Sequence, residues 1–335
     1  MTVAEETKRH RAIRIAFFNH KGGVGKTTLT FNIAATLASL GNTVLLVDSD
    51  PQCNLSAYTI EDSVVDDLLD HSDSPKGKTI WSALKPIVEA SGDVRTVKPY
   101  ERRANLFVLP GDVRLSEFEQ ELAQLWGDCF QRKIRGFKGT TALSVLVNSI
   151  AQDIKSDYVF YDSGPNIGPL NRIVLLDCDY FIIPVACDLF SVRALKTLGQ
   201  TLAKWIKLWE TISDLAPDGL YLLPGKPKLL GYIPGRFRIY GGEVTSDYAY
   251  YLSLLEKHVH NDVVTVLRNI DPELANSSMI QNKLGRVQDF SSLVSVSQSK
   301  GVPIYEVSGG NSSMKAAAQK TFRVLAAKII ERSSK

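Results

Sequence analysis

The residues most able to do chemistry lie near the start of the chain, in the string Lys21-Gly22-Gly23-Val24-Gly25-Lys26-Thr27-Thr28. Closely spaced glycines let a backbone turn successive N–H groups inward, which makes a nest for an anion. A helix that begins near Lys26 adds its positive N-terminal end to the same point. Lys26 is then placed to reach the β- and γ-phosphates of a nucleotide, and the Thr27 hydroxyl to ligate Mg²⁺. The string fits G-x-x-x-x-G-K-[ST] with one substitution, His20 standing where the first glycine would fall. A glycine-rich turn of no function is the plain alternative. The apolar run before the string and the helical spacing after it count against that.

Two acidic stretches extend the pattern. Asp48-Ser49-Asp50-Pro51-Gln52-Cys53-Asn54 follows a second apolar run. Ligands of open α/β sheets sit at the carboxyl ends of strands, so Asp48 and Asp50 should face a metal and a γ-phosphate. Asp-Pro also favours turns, which leaves Asp48 open to a reading as a turn or helix-capping residue. Further on, Asp162 ends the run Tyr158-Val159-Phe160-Tyr161. Such an acid at a strand end holds Mg²⁺ directly or through water in phosphate-loop enzymes. Alone this signal is weak, and its weight comes from following the other two in order.

Positioning these groups requires strands that end together. Apolar, β-rich runs predict strands at 13–18, 43–47, 106–109, 158–161, 180–185, 229–233 and 303–307. Helical spacing predicts helices at 27–40, 64–69, 80–90, 115–126, 141–154, 192–213, 245–268 and 314–332. Alternating strands and helices imply an α/β fold, a mostly parallel twisted sheet with helices on both faces. The 335 residues, 44% apolar and 22% charged, read as one domain whose stretch 205–300 is less typical. The net charge of +3 forces no nucleic-acid partner. Cys53, Cys129, Cys178 and Cys187 form no C-x-x-C pair, so neither zinc nor redox chemistry is suggested. The polar N-terminus and the absence of an apolar run of ~18 residues lead to the expectation of a cytoplasmic protein.

The string from Lys21 to Thr28 resembles the deviant Walker A signature of the ParA/MinD family, a group with a P-loop NTPase fold. Asp48 to Asn54 resembles the D-x-D-P-Q-x-N switch of the ParA branch. Asp162-Ser163-Gly164-Pro165 resembles its second switch, D-x-x-P, with Gly168 and Asn171 at matching places. The likeness spans most of 12–200 and returns weakly at 301–307; 205–300 matches poorly, so no base-contacting residue carries over. The resemblance implies ATP and Mg²⁺ as ligands and a dimer formed on ATP binding. It implies that Lys21 crosses to the partner's nucleotide, that Lys26 and Asp50 serve slow hydrolysis, and that Asp50 orients the attacking water. It puts Thr27, Asp50, Asp162 and Asp48 around the metal, and Asn171 with residues 22–28 around the nucleotide. It also implies a ParB-like adaptor that stimulates hydrolysis, and nonspecific DNA, hence nucleoid association, as the ATP-bound partner.

Two other readings stay open: a MinD-like ATPase on a membrane surface, and an ATP-sensing module that dimerises and recruits an effector. On the last predicted helix, Phe322, Leu325, Ala326 and Ile329 gather on one face, with Lys320, Arg323 and Lys328 on another. That suits a phosphate backbone, an anionic membrane or an ordinary surface helix. One aromatic and no Trp on the apolar face favour DNA. Arg236 and Arg238, in a Gly-Arg-Phe-Arg segment, are further candidates for DNA contact. With so short a segment before the first strand, no sequence-reading extension is expected.

Overall fold

The computed structural model describes residues 11–334, apart from 238, 241, 242 and 245 and the side chains of 236–247. One sheet organises the chain. Its strands are β1 (Ile13–Phe17), β2 (Val44–Asp48), β3 (Tyr100–Arg103), β4 (Leu106–Leu109), β5 (Tyr158–Asp162), β6 (Tyr180–Ala186) and β7 (Lys228–Phe237), with β10 (Val287–Gln288) at one edge. Between the last two, β8 (Ile239–Tyr240) and β9 (Glu243–Val244) form a separate antiparallel pair. The sheet order is β10-β7-β6-β1-β5-β2-β4-β3, and every pairing is parallel except β3 with β4. β2 and β5 are buried along their whole length, as strands covered on both faces must be, which is why they read as unbroken apolar runs.

Register decides the chemistry. Phe17 pairs with Asp162, and Asp162 pairs with Asp48. The carboxyl ends of β1, β5 and β2 therefore finish level, and the two acids share one edge.

Helices cover both faces, as expected. One face carries α1 (Lys26–Ser39), α2 (Asn54–Thr59), α3 (Asp62–Asp70), α11 (Ser292–Lys300) and α12 (Ser312–Ser333). The other carries α4 (Ile80–Val88), α5 (Leu115–Phe130), α6 (Ile134–Asp153), α7 (Pro169–Asp177), α8 (Leu189–Asp214), α9 (Ser246–His258) and α10 (Thr265–Arg268). Trp205 and Trp209 of α8 are buried, Trp209 against Trp126 of α5 at 5.5 Å between ring centroids. The atypical stretch supplies a sheet strand: β7 pairs with β6 from Lys228 to Gly235.

Three expectations are corrected. The strand expected at 303–307 is a 3₁₀ turn, Ile304–Glu306. The Ile304 N–H is taken by the Asn32 side chain of α1 at 2.8 Å, so it serves no ladder. The helix expected at 245–268 divides, because Val259–Val264 winds as a π-helix between α9 and α10. Its Asp262 carbonyl lies so close to Gly199 of α8 that a Cβ there would come within 1.8 Å, which leaves room for glycine alone. Finally, the sequence pattern gives no sign of α2 and α7, the short helices that follow the two switch strings.

Candidate nucleotide site

The loop from β1 to α1 is shaped by its glycines. Gly25, at the N-cap of α1, has φ 88°, a left-handed conformation that other residues reach only with strain. No side chain caps α1, so its first amides are open to an anion. The Asn19 amide fixes the loop, donating to the Pro184 carbonyl at 2.8 Å and accepting from the Lys21 N–H at 3.0 Å. Lys26 is buried and its ammonium donates to the Asn19 carbonyl at 3.1 Å. Burial lowers its pKa, and the charges of Asp162 and Asp50 oppose that. Beside this loop opens a cleft of about 520 Å³ that Gly22, Gly23, Lys26, Thr27, Asp50 and Ser163 help to line. A second cleft of about 480 Å³ shares Gly25 and Thr28 with it and is walled by Val24, Leu29, Val287 and Phe290. A polar trough joined to an apolar one suits a phosphate chain ending in a flat base.

The three aspartates are not equivalent. Asp162 is 1% exposed, and neither carboxylate oxygen makes a hydrogen bond of good geometry, although the Thr27 hydroxyl and the Lys26 ammonium stand near enough to act on it. Burial, then the charge of Asp48, push its pKa up to about 8, while the nearby Thr27 hydroxyl and Lys26 ammonium offset part of the rise. A buried carboxylate without good hydrogen bonds is a costly group, and a cation held with phosphate oxygens would satisfy it. Asp48 is already engaged. Its Oδ2 accepts from the Ser56 N–H at 2.7 Å and the Ser56 hydroxyl at 2.6 Å, so it anchors the first turn of α2. Burial pushes it up to about 7 even so. Asp50 lines the cleft, and its Oδ1 accepts from the Gln52 N–H at 3.0 Å. Among the described residues no three His, Cys, Asp or Glu side chains form a metal cage. Mg²⁺ commonly takes one or two protein ligands and fills its shell with phosphate and water. Asp162 and Thr27 fit that use; Asp48 fits a supporting position behind them.

Two of the expected site residues have partners within the chain. The Asn171 amide donates to the Gly164 carbonyl at 2.9 Å, the Asn166 carbonyl at 3.0 Å and the Asn166 Oδ1 at 2.8 Å. Its donors brace the loop after Asp162. Lys21 is not free in solvent. Its ammonium pairs with Asp188 and donates to the Ser191 hydroxyl at 3.0 Å, at the start of α8 in the same chain. The sequence reading also missed Glu119 of α5. Its carboxylate accepts from the Leu170 N–H at the start of α7, and nothing in the spacing of α5 marks it. On α12, Phe322, Leu325, Ala326 and Ile329 are buried as expected, Lys320 and Arg323 are exposed, and Lys328 is half-buried. Arg238 lies outside the described residues, as does the side chain of Arg236.

A family model described as AAA domain matches residues 12–213. The sporulation initiation inhibitor protein Soj of Bacillus subtilis (strain 168) is 32% identical over 214 residues, 62% of this chain and 71% of Soj. The chain belongs to the ParA/MinD family of P-loop ATPases. The chromosome partitioning protein ParA of Caulobacter vibrioides is 30% identical over 193 residues, 57% of this chain and 62% of that protein. Among solved structures, a plasmid partition protein of Borrelia burgdorferi bound to AMPPNP superposes with a TM-score of 0.61 at 18% identity, covering 96% of this chain and 99% of that one. The Cyanothece McdA–ATP complex gives a TM-score of 0.61 at 18% identity, covering 95% and 96%. At such identities the likeness speaks for the fold, and the parallel sheet with its phosphate loop is that of this ATPase family. Among the described residues no helix is long and apolar enough to cross a membrane.

Proposed function

We propose that this ParA-like ATPase is a dimerising switch. It binds ATP, associates with nonspecific DNA in that state, and hydrolyses the nucleotide slowly to segregate or position DNA or another cargo. The observation that carries the reading is Asp162, an ionisable group buried without a well-formed hydrogen bond at the level of the phosphate loop, with Thr27, Lys26 and Asp50 around it. Mg²⁺, when held by Thr27 and Asp162, would supply the charge that neutralises the phosphates. The chain's own groups do the remaining work. The amides of the loop and of α1 bind the phosphate chain, Lys26 orients its β- and γ-groups, and Asp50 holds the attacking water in line. Lys21 adds positive charge across a dimer once it leaves Asp188. A ParB-like adaptor stimulates the reaction and so returns the protein to its DNA-free form.

The chromosome partition role named for the Caulobacter relative and the plasmid partition role named for the Borrelia protein support this reading. A MinD-like membrane role is disfavoured by α12, whose apolar face is spent on the core and has nothing left for a bilayer. The test is turnover by single variants. Asp50→Ala should bind ATP yet lose hydrolysis by about a hundredfold or more, and Lys21→Ala should lose both dimer and turnover. Parental rates in both variants would reject the proposal.

A further inference from the structure

Helix α8 runs 26 residues, roughly 39 Å at the usual rise. One side is buried, through Leu195, Leu198, Leu202, Trp205, Ile206 and Trp209. The opposite side carries Arg193, Lys196, Lys204 and Lys207, all exposed. At about 100° per residue these four fall within an arc of roughly 80° and span about 21 Å of the axis. Thr197 and Gln200 lie among them and no acid does; the first acid on that side, Asp214, is the last residue of the helix, two turns beyond Lys207. The nearest acid in the helix, Glu210, sits on the flank and is drawn to Lys226 at 3.9 Å.

Many basic side chains elsewhere on the surface are compensated. Lys85, Arg103, Arg114, Lys133, Arg135 and Lys138 each pair with an acid. Among the described residues none of the four α8 cations does, and neither do Lys320 and Arg323 of α12, but only on α8 do four such cations line one ridge of a single helix. Four like charges along one ridge raise the local potential and have no internal compensation, so they favour a polyanion.

We infer that the α8 ridge is the surface on which the backbone of a nucleic-acid duplex lies. Its partners are phosphates, contacted by Arg193, Lys196, Lys204 and Lys207, with the Thr and Gln side chains available to donate to phosphate oxygens. The chemistry separates this from a protein partner. Protein interfaces rely on buried aromatic and apolar anchors. Between Arg193 and Lys207 the exposed positions offer only cations, hydroxyls and amides; the exposed apolar pair Leu189 and Phe190 lies one turn before Arg193, at the end of the ridge next to Asp188. It separates it from a membrane too, since no apolar stripe runs along the charge from Arg193 to Lys207. The ridge also differs from the basic residues of α12, which lie on the other face of the sheet. It begins within two turns of Asp188 and Ser191, which hold Lys21, so helix and nucleotide loop touch at one point. The inference rests on the ATP-dependent DNA binding proposed above and names its surface.

The experiment measures binding of a random-sequence duplex to the full chain with a non-hydrolysable ATP analogue across a salt series. The proteins are the parent, Arg193→Ala with Lys196→Ala, Lys204→Ala with Lys207→Ala, and Lys320→Ala with Arg323→Ala. Circular dichroism verifies the fold of each. Each lost phosphate contact flattens the plot of log K against log salt by about 0.9. Either α8 pair should therefore flatten it by roughly 2 and weaken binding roughly sixtyfold at 0.1 M salt. Parental affinity and slope in both α8 variants, or a loss confined to the α12 pair, would overturn the inference while leaving DNA binding intact. A parent that ignores the duplex with ATP would sink the inference together with the function on which it rests. If the parent instead binds polyglutamate or anionic phosphatidylglycerol vesicles through the ridge more tightly than the duplex, the commitment to nucleic acid fails.

Discussion

Lys21 has two partners in this account, Asp188 of its own chain and the nucleotide of a second copy, and it cannot serve both. Replacing Asp188 by Asn tests that competition. The substitution removes the charge that holds Lys21, while an amide oxygen still accepts the Ser191 N–H that Asp188 now takes at 2.8 Å, so the α8 cap survives. Burial raises the pKa of Asp188, but its bonds to Lys21 and Ser191 outweigh that and hold it below the usual carboxylate range. Lys21 and Asp188 side chains are 25% and 41% exposed, so the pair is screened by solvent. Partly exposed pairs contribute about 0.5–1 kcal/mol. Two protomers release about 1–2 kcal/mol on dimerising, a factor of roughly 5–30 in the dimer dissociation constant. Sedimentation velocity with a non-hydrolysable ATP analogue, over a protein dilution series, measures it. Asp188→Asn should dimerise more tightly, and the gain should shrink in 1 M salt, where charges are screened beyond about 3 Å. The pair's sign with pH follows from the depressed carboxylate: its hold on Lys21 is complete near neutrality and is lost as pH falls through the folded-state pKa of Asp188. Weaker or unchanged dimerisation of Asp188→Asn at low salt would refute the reasoning.

Other consequences are simpler to check. Asp162→Asn removes a carboxylate whose folded pKa is raised, a group that stabilises below its unfolded value and costs stability as pH rises toward 8. Without nucleotide, the variant should therefore melt a few degrees higher than the parent at pH 8 and about level with it near pH 4. The same variant should lose the extra thermal stabilisation that the parent gains when Mg²⁺ is added to ATP, and EDTA should bring the parent down to it. Asn171→Ala cuts the brace on residues 164–166 and should lower turnover severalfold with ATP affinity nearly unchanged, as read by steady-state kinetics beside a nucleotide titration. Phe322→Ala empties a fully buried site under α12 and should cost about 3–5 kcal/mol in urea unfolding, whereas Lys320→Ala should stay within about 0.5 kcal/mol.

What could be read from the chain was what is written in contiguous strings. The phosphate loop, the two acidic strand ends and the parallel strands around them all depend on neighbours in sequence, and each falls where expected. Boundaries failed where packing overrode pattern. Helix α6 starts at Ile134 and not at 141, because Gly136 and Gly139, which look like loop residues, let it lie close against Leu125 and Cys129 of α5. Long-range partners were out of reach altogether. The Lys21–Asp188 pair joins residues 167 positions apart, and no local spacing reports that Asp48 turns to Ser56 or that Asn171 turns to the loop behind it. The basic ridge of α8 becomes legible only once packing shows that Trp205 and Trp209 take the opposite side into the core.

The level finish of β1, β5 and β2 also determines where this chain tolerates changes of length. Side chains in a strand alternate between the two faces, so deleting one residue from 13–17, 44–48 or 158–162 would turn the terminal acid or the loop's take-off to the wrong side and dismantle the site at once. Insertions among the turns near 215–227, at the opposite end of the sheet, leave that alignment untouched. Natural variation in length should therefore gather in the turns and spare those fifteen positions.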